Sequence, residues 1–222
     1  MNVPISSSNR LLSLDVFRGI TVAGMIVVNN PGDWGHIYAP LKHADWNGCT
    51  FADLIFPFFL FIVGVSISSS FAQKKSDQQN ASQLLWIAAK RSIILFGLGL
   101  FLAAFPLMLT DPILAIKEIR IPGILQRIAV VFFVSVVIYV KTKPTSHFKI
   151  MIGLLVVYWF LLKGVPVPGV GFANLEKQTN LVAWFDRIIF GEAHLWKLTT
   201  TWDPEGFLST IPAIATCLLV CS

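Results

Sequence analysis

One short stretch, Lys42-His43-Ala44-Asp45-Trp46-Asn47-Gly48, sets an imidazole between a cation, an acid and an aromatic ring. Histidine is the side chain whose ordinary titration lies nearest neutrality. His43 is therefore a candidate general base, and a neighbouring carboxylate is the group that would orient it. Upstream, Asn29 and Asn30 close the first apolar run, and Asp33 and His36 follow. Further on, Arg120, Gln126 and Arg127 form a polar group at the start of another apolar run, and Asp203 and Glu205 precede the last one. Arg127 lies about two turns inside its run, too deep for snorkelling alone, which points it at an interior cavity. A second, smaller group is Asp15 and Arg18, one helical turn apart. It reads equally as an i,i+3 ion pair that lowers the cost of burial and as a cation facing an anionic ligand. No serine elbow, HExxH, P-loop or GxGxxG occurs, so hydrolase, zincin and nucleotidase chemistry has no support. The three cysteines, Cys49, Cys217 and Cys221, make no CxxC pair and imply neither a disulfide framework nor a zinc site.

Several of these polar residues also have a plain structural use. Thr50-x-x-Asp53 has the form of a capping box with Asp in place of Glu. Asp203-Pro204-Glu205 reads as an N-cap, a proline at the first helical position and an acid in the first turn; Pro122 would serve the helix before it in the same way. Asn29-Asn30-Pro31-Gly32 is a helix stop followed by a turn. His36, His147 and His194 read as solvated loop histidines.

The elements that must hold these groups are membrane helices. The chain has 222 residues, 55% of them hydrophobic and only 13% charged, and its mean hydropathy is +0.71. A soluble domain carries about a quarter charged residues. The composition excludes a soluble globule, a disordered chain and a nucleic-acid-binding domain, since the net charge of +5 is not gathered into basic blocks. Six apolar segments are long enough, or nearly so, to cross a bilayer: Leu11–Val28, Leu54–Ala72, Leu84–Phe105, Ile121–Val140, Phe148–Leu162 and Phe207–Cys221. The expected fold is all-α, a polytopic transmembrane bundle of about six helices. Residues 1–10 form a cytoplasmic tail and 11–222 a membrane domain. The sixth segment ends without a polar stop, which reads as a piece of a longer protein. No cleavable leader is visible.

Lys/Arg placement orients the bundle. With the N-terminus inside, nine of the 17 basic residues fall on the inner side, four of them (Lys74, Lys75, Lys141 and Lys143) in the short inner loops 73–83 and 141–147. The outer loops, 29–53, 106–120 and 163–206, are long and carry ten of the 12 acids. Specialised chemistry is expected on that outer face. Val165–Gly171 cannot be helical and starts the last outer loop.

Four blocks resemble one family. Ser13-Leu14-Asp15-Val16-Phe17-Arg18-Gly19-Ile20 looks like the opening of the heparan-alpha-glucosaminide N-acetyltransferase family and its bacterial relatives. The block from Leu41 to Gly48, continued by Thr50, Asp53-Leu54 and Phe56-Pro57-Phe58, is similar to that family's most characteristic segment. Arg120-Ile121-Pro122-Gly123-Ile124-Leu125-Gln126-Arg127 and Thr201-Trp202-Asp203-Pro204-Glu205-Gly206 match a third and a fourth block. Family members have around ten or eleven helices, so this chain would lack the C-terminal half.

The resemblance implies transmembrane acetyl transfer, from cytoplasmic acetyl-CoA to an amino sugar or glycan acceptor across the membrane, with no metal. The family's essential histidine falls on His43 and its partner asparagine on Asn29. Asn29 would hold the thioester oxygen or orient His43. Asp45, Trp46, Arg127, Asp203 and Glu205 are assigned to the acceptor, and Arg18, Arg120 and Gln126 to acetyl-CoA. A wider group of membrane acyltransferases carries Arg, ten residues, then His; here Arg18 is followed at that spacing by Asn29, which favours the glucosaminide branch. Direct transfer and a two-step route through acetyl-His43 both remain open. The expected setting is a bacterial inner membrane, with the lipid bilayer as partner and a homodimer as a compatible assembly. The runner-up is a sugar permease, although no inverted repeat is visible and the polar groups gather near one face. A purely structural membrane subunit would leave His43 and Arg127 without a use.

Overall fold

A computed structural model of the chain describes residues 12–76 and 80–221. The tail 1–10, Leu11 of the first segment, Asp77 to Gln79 of the inner loop and Ser222 lie outside the described residues. The fold is helical: α1 (Leu12–Asn29), α2 (Phe51–Ser76), α3 (Ala81–Met108), α4 (Pro112–Lys117), α5 (Ile124–Lys141), α6 (Pro144–Gly164), α7 (Leu181–Phe190) and α8 (Thr210–Leu218), with 3-10 turns at Ala39–Leu41 and Glu192–His194. Among the described residues there is no strand, only one isolated bridge between Val167 and Gly171. α1, α3, α5, α6 and the first 21 residues of α2 are each long and apolar enough to cross a membrane. The protein is an integral membrane protein with a polytopic helical bundle.

The chain divides into two compact units, one up to Ile62 and one from Val63 onward. In the first, α1 meets the start of α2 through buried Val28, Ala52 and Ile55, with Met25 and Leu41 packed on them. The Phe17 and Phe58 rings meet edge to face at 5.8 Å. α1 stops where expected: Asn30 Nδ2 donates back to Ile26 O at 2.9 Å, and Gly32 turns the chain at φ +79°, a conformation that glycine adopts freely.

In the second unit, lipid supplies no hydrophobic drive between helices, so contact depends on small residues that let backbones close. Gly64 of α2 lies against the Cys217 carbonyl of α8, where a Cβ would collide. Gly99 of α3 gives room to the Gln126 side chain at the head of α5, since a Cβ there would come within 2.5 Å of Oε1. A separate core of Val167, Leu181 and Leu208 is covered by Tyr158, Leu161 and Trp184, which fastens the last long loop to α6.

Two expectations need correction here. The helix of the sixth apolar segment starts later than expected: it is α8, beginning at Thr210, with Ser209 as its N-cap. Residues 203–209 are held in a turn instead. Pro122 is not at the first helical position, because α5 begins at Ile124 with Gly123 as its N-cap. The outer loops carry helices of their own. They hold α4, capped by Asp111 through Ile113 N and Leu114 N, and α7, capped by Asn180 and closed by Gly191 at φ 74°.

Candidate functional site

The polar residues fall into two constellations, one in each unit. In the first unit, Thr50 immediately precedes α2 and Asp53 lies in its first turn. Asp53 Oδ2 accepts from Thr50 N at 2.9 Å, Thr50 Oγ1 at 3.0 Å and Ala44 N at 3.2 Å. This is the reciprocal half of the capping box, and the helix N-terminus favours the negative charge. The other oxygen has a different use: Oδ1 lies 2.7 Å from His43 Nδ1. A carboxylate only accepts, so Nδ1 must carry the proton and donate it, leaving the lone pair on Nε2. Asp53 thus fixes the tautomer of a histidine whose side chain is 52% exposed. At that exposure the pair contributes orientation far more than stability.

The neighbouring residues do not share this role. Asp45 is 90% exposed and sits 3.7 Å from Lys42 Nζ. Trp46 is exposed, and Asn29 is exposed at the last residue of α1. The carboxylate that orients His43 is Asp53, ten positions away, which the sequence offered only as a cap. Arg18 and Asp15 pair at 3.1 Å, both half-exposed, so the ion pair is real. His36 is exposed as expected but bonded to Asp33 through Nδ1. That hydrogen bond, with one from Gly35 N, holds the Asp33 carboxyl below its usual range.

The second constellation is more deeply built. Arg120 grips Asp203 with two parallel bonds, Nε to Oδ2 at 2.9 Å and NH2 to Oδ1 at 2.6 Å, and NH2 also reaches Glu205. Its guanidinium lies 5.6 Å from the Trp196 ring centroid. Asp203 is fully buried and takes two further backbone N–H groups, Trp196 N and Glu205 N, each at 3.0 Å. Burial disfavours the Arg120 charge, yet the Asp203 and Glu205 carboxylates prevail and hold its pKa above the ordinary value. Burial pushes the Glu205 carboxyl up, against the pull of Arg120 and Arg127. Arg127 NH1 donates to Pro204 O at 2.8 Å, and NH2 to Ser209 O. The two arginines therefore staple the 203–209 turn to the head of α5. This is why Asp203 is not the expected N-cap of the last helix: α8 starts only at Thr210, and the Asp203 side chain is committed to Arg120 and the turn itself.

Of the three residues assigned to acetyl-CoA, Arg120 is engaged by two carboxylates, Gln126 is buried beside Gly99 and Gly123, and Arg18 is half-exposed at the start of α1. Two histidines differ from expectation. His147 is helical and fully buried, with Nδ1 2.7 Å from Cys221 O. His194 is half-buried, with Nδ1 2.8 Å from Ile119 O. One buried acid went unread in the sequence, Asp186 on α7, whose Oδ1 accepts from Phe207 N at 2.8 Å. Among the described residues no three His, Cys, Asp or Glu side chains group as metal ligands.

The model of the family described as heparan-alpha-glucosaminide N-acetyltransferase, catalytic, matches residues 10–188. The human heparan-alpha-glucosaminide N-acetyltransferase is 32% identical over 255 aligned positions, which cover 95% of this chain and 37% of that protein. The mouse protein of the same name is 30% identical over 256 positions, covering 96% of this chain and 38% of its own length. The chain thus spans a little over a third of the relatives it matches.

Proposed function

Because the chain belongs to the heparan-alpha-glucosaminide N-acetyltransferase catalytic-domain family, we propose that it takes part in moving an acetyl group from cytoplasmic acetyl-CoA to an amino sugar at the outer face of the membrane. The observation that carries the reading is the His43–Asp53 pair at the head of α2, an imidazole with its tautomer fixed and its Nε2 lone pair turned to proton transfer. The amino nitrogen attacks the thioester carbonyl. An N–C bond forms and the C–S bond breaks. The proton leaving nitrogen passes to His43 Nε2 and then to the departing thiolate, giving an amide and the CoA thiol. Asn29, with two N–H donors, is the group we assign to the thioester oxygen as negative charge develops on it. Arg18 is the residue we carry forward for the phosphate end of CoA, where a phosphate competes with Asp15 for the guanidinium. Asp45 and Trp46 are the acceptor contacts beside His43. In this reading the membrane is a bacterial inner membrane and the N-terminus is cytoplasmic.

Given acetyl-CoA and glucosamine, the intact protein in detergent is expected to yield CoA and N-acetylglucosamine in equal amounts. A protein that moves sugar into vesicles and leaves the thioester whole would be a permease. The direction of transfer has its own test in an existing residue. Cys49 is exposed six positions from His43, while Cys217 and Cys221 are buried. A membrane-impermeant maleimide on intact cells should label Cys49, and a cysteine placed at Lys75 should react only after permeabilisation. The reverse pattern would invert the topology and the direction of transfer.

A further inference from the structure

Three side chains hold the turn between Asp203 and Ser209. Arg120 binds its two carboxylates, Arg127 binds the carbonyls of Pro204 and Ser209, and Asp186 binds the Phe207 N–H from α7. The third clamp differs from the others. Asp186 is fully buried, and its Oδ2 has no hydrogen-bond partner. The carboxyl lies against Gly206, where a Cβ would collide with it. A carboxylate there would leave a buried charge with one oxygen unmatched, whereas a carboxylic acid leaves at most one O–H without an acceptor, a far smaller cost.

We propose that Asp186 is a proton-binding site: with the proton on, its carboxyl seats the 203–209 turn, and loss of the proton loosens that turn, so that the placement of Asp203 and Glu205 depends on a single bound proton. The charged and titratable groups around it come from each element that packs there: Arg127 from α5, Tyr158 from α6, Arg187 from α7 itself and Asp203 from the turn. Burial pushes the Asp186 carboxyl up to about 7; the Phe207 N–H and the two arginines offset only part of this, and Asp203 adds to it. The closed turn thus binds the proton more tightly than an open turn, in which the carboxyl meets water and titrates near ~3.9.

The sign follows from linkage. Below about pH 4 both states are protonated and the turn opens no more readily than its other contacts allow. Between about 4 and 7 only the closed state keeps the proton, so each pH unit raises the opening constant about tenfold. Above about 7 both states are ionised and the effect levels off.

The reading is hydrogen exchange of the peptide containing Phe207 in the intact detergent-solubilised protein, corrected for intrinsic exchange. Protection in the wild type should fall roughly 50-fold from pH 5 to 7 and level off by about pH 8. Asp186→Asn, which cannot ionise and can still accept the Phe207 N–H, should show no such slope. A wild-type profile flat from pH 5 to 8, or an Asn variant that follows the wild-type slope, overturns the proposal. Should the variant fail to fold, the wild-type curve decides alone. The readout uses no acetyl transfer, so it stands or falls apart from the proposed activity.

Discussion

His43→Ala is expected to lower acetyl transfer by about 10²–10⁴, the usual contribution of a positioned general base, while the protein still folds and still binds acetyl-CoA. The first half follows from geometry: Asp53 fixes the proton on Nδ1, so His43 has a defined accepting nitrogen that alanine cannot replace. The second half follows from exposure. Half of the side chain is in solvent, so its removal opens no cavity in the bundle. Asp53→Asn should fall between wild type and His43→Ala in rate, because an amide can present its N–H to Nδ1 and favour the wrong tautomer without abolishing the imidazole. It should also loosen the start of α2, since Thr50 N, Thr50 Oγ1 and Ala44 N all depend on Oδ2. Near-normal turnover in His43→Ala alongside loss in Asp45 or Glu205 variants would put the base on a carboxylate. Steady-state rates with a separate acetyl-CoA binding measurement distinguish these outcomes.

The second large effect is structural. Arg120→Met should destabilise the protein by about 3–5 kcal/mol, the cost of breaking a buried pair by removing one partner. Asp203 has no exposed surface and would keep its charge with only two backbone N–H groups to match it. Glu205 would lose its direct cationic partner as well. Arg120→Lys should cost less, because an ammonium keeps the charge but not the two parallel bonds. Pairing Arg120→Met with Asp203→Asn should recover part of the loss, since no buried charge is then stranded. Unfolding curves in a mixed detergent series measure all three. A loss below about 1 kcal/mol in Arg120→Met would mean that the network behaves like an exposed surface pair.

The membrane helices were legible because a bilayer leaves little choice: apolar runs of the right length form helices, and all six expected segments hold one, five of them long enough to cross a membrane. The cap of the sixth was misread because Asp203-Pro204-Glu205 has the local form of a helix start. What overrides it is Arg120, 83 positions away in sequence, which takes the Asp203 carboxylate and keeps the chain in a turn. The same limit applies to His43. Its chemistry and the Thr50–Asp53 cap could each be read locally, but their union depends on how the loop from Leu41 to Thr50 folds back onto the head of α2. His147 was read as solvated because its helix was expected to begin at Phe148. The helix begins at Pro144, which turns the imidazole into the bundle. Asp186 went unnoticed as one acid in the apolar run Leu181–Phe190. The flanking signals, Asn180 before it and Gly191 after it, were sufficient to mark a short helix and with it a buried face.

The measurement that tests the central claim most directly is chemical rescue. His43→Ala protein, saturated with acetyl-CoA and glucosamine, is titrated with free imidazole while N-acetylglucosamine formation is followed. If His43 accepts the proton from the acceptor nitrogen, transfer rises with imidazole and follows the concentration of its neutral form. Wild-type turnover in His43→Ala without imidazole, or a lost activity that imidazole fails to raise while acetyl-CoA remains bound, would contradict the account.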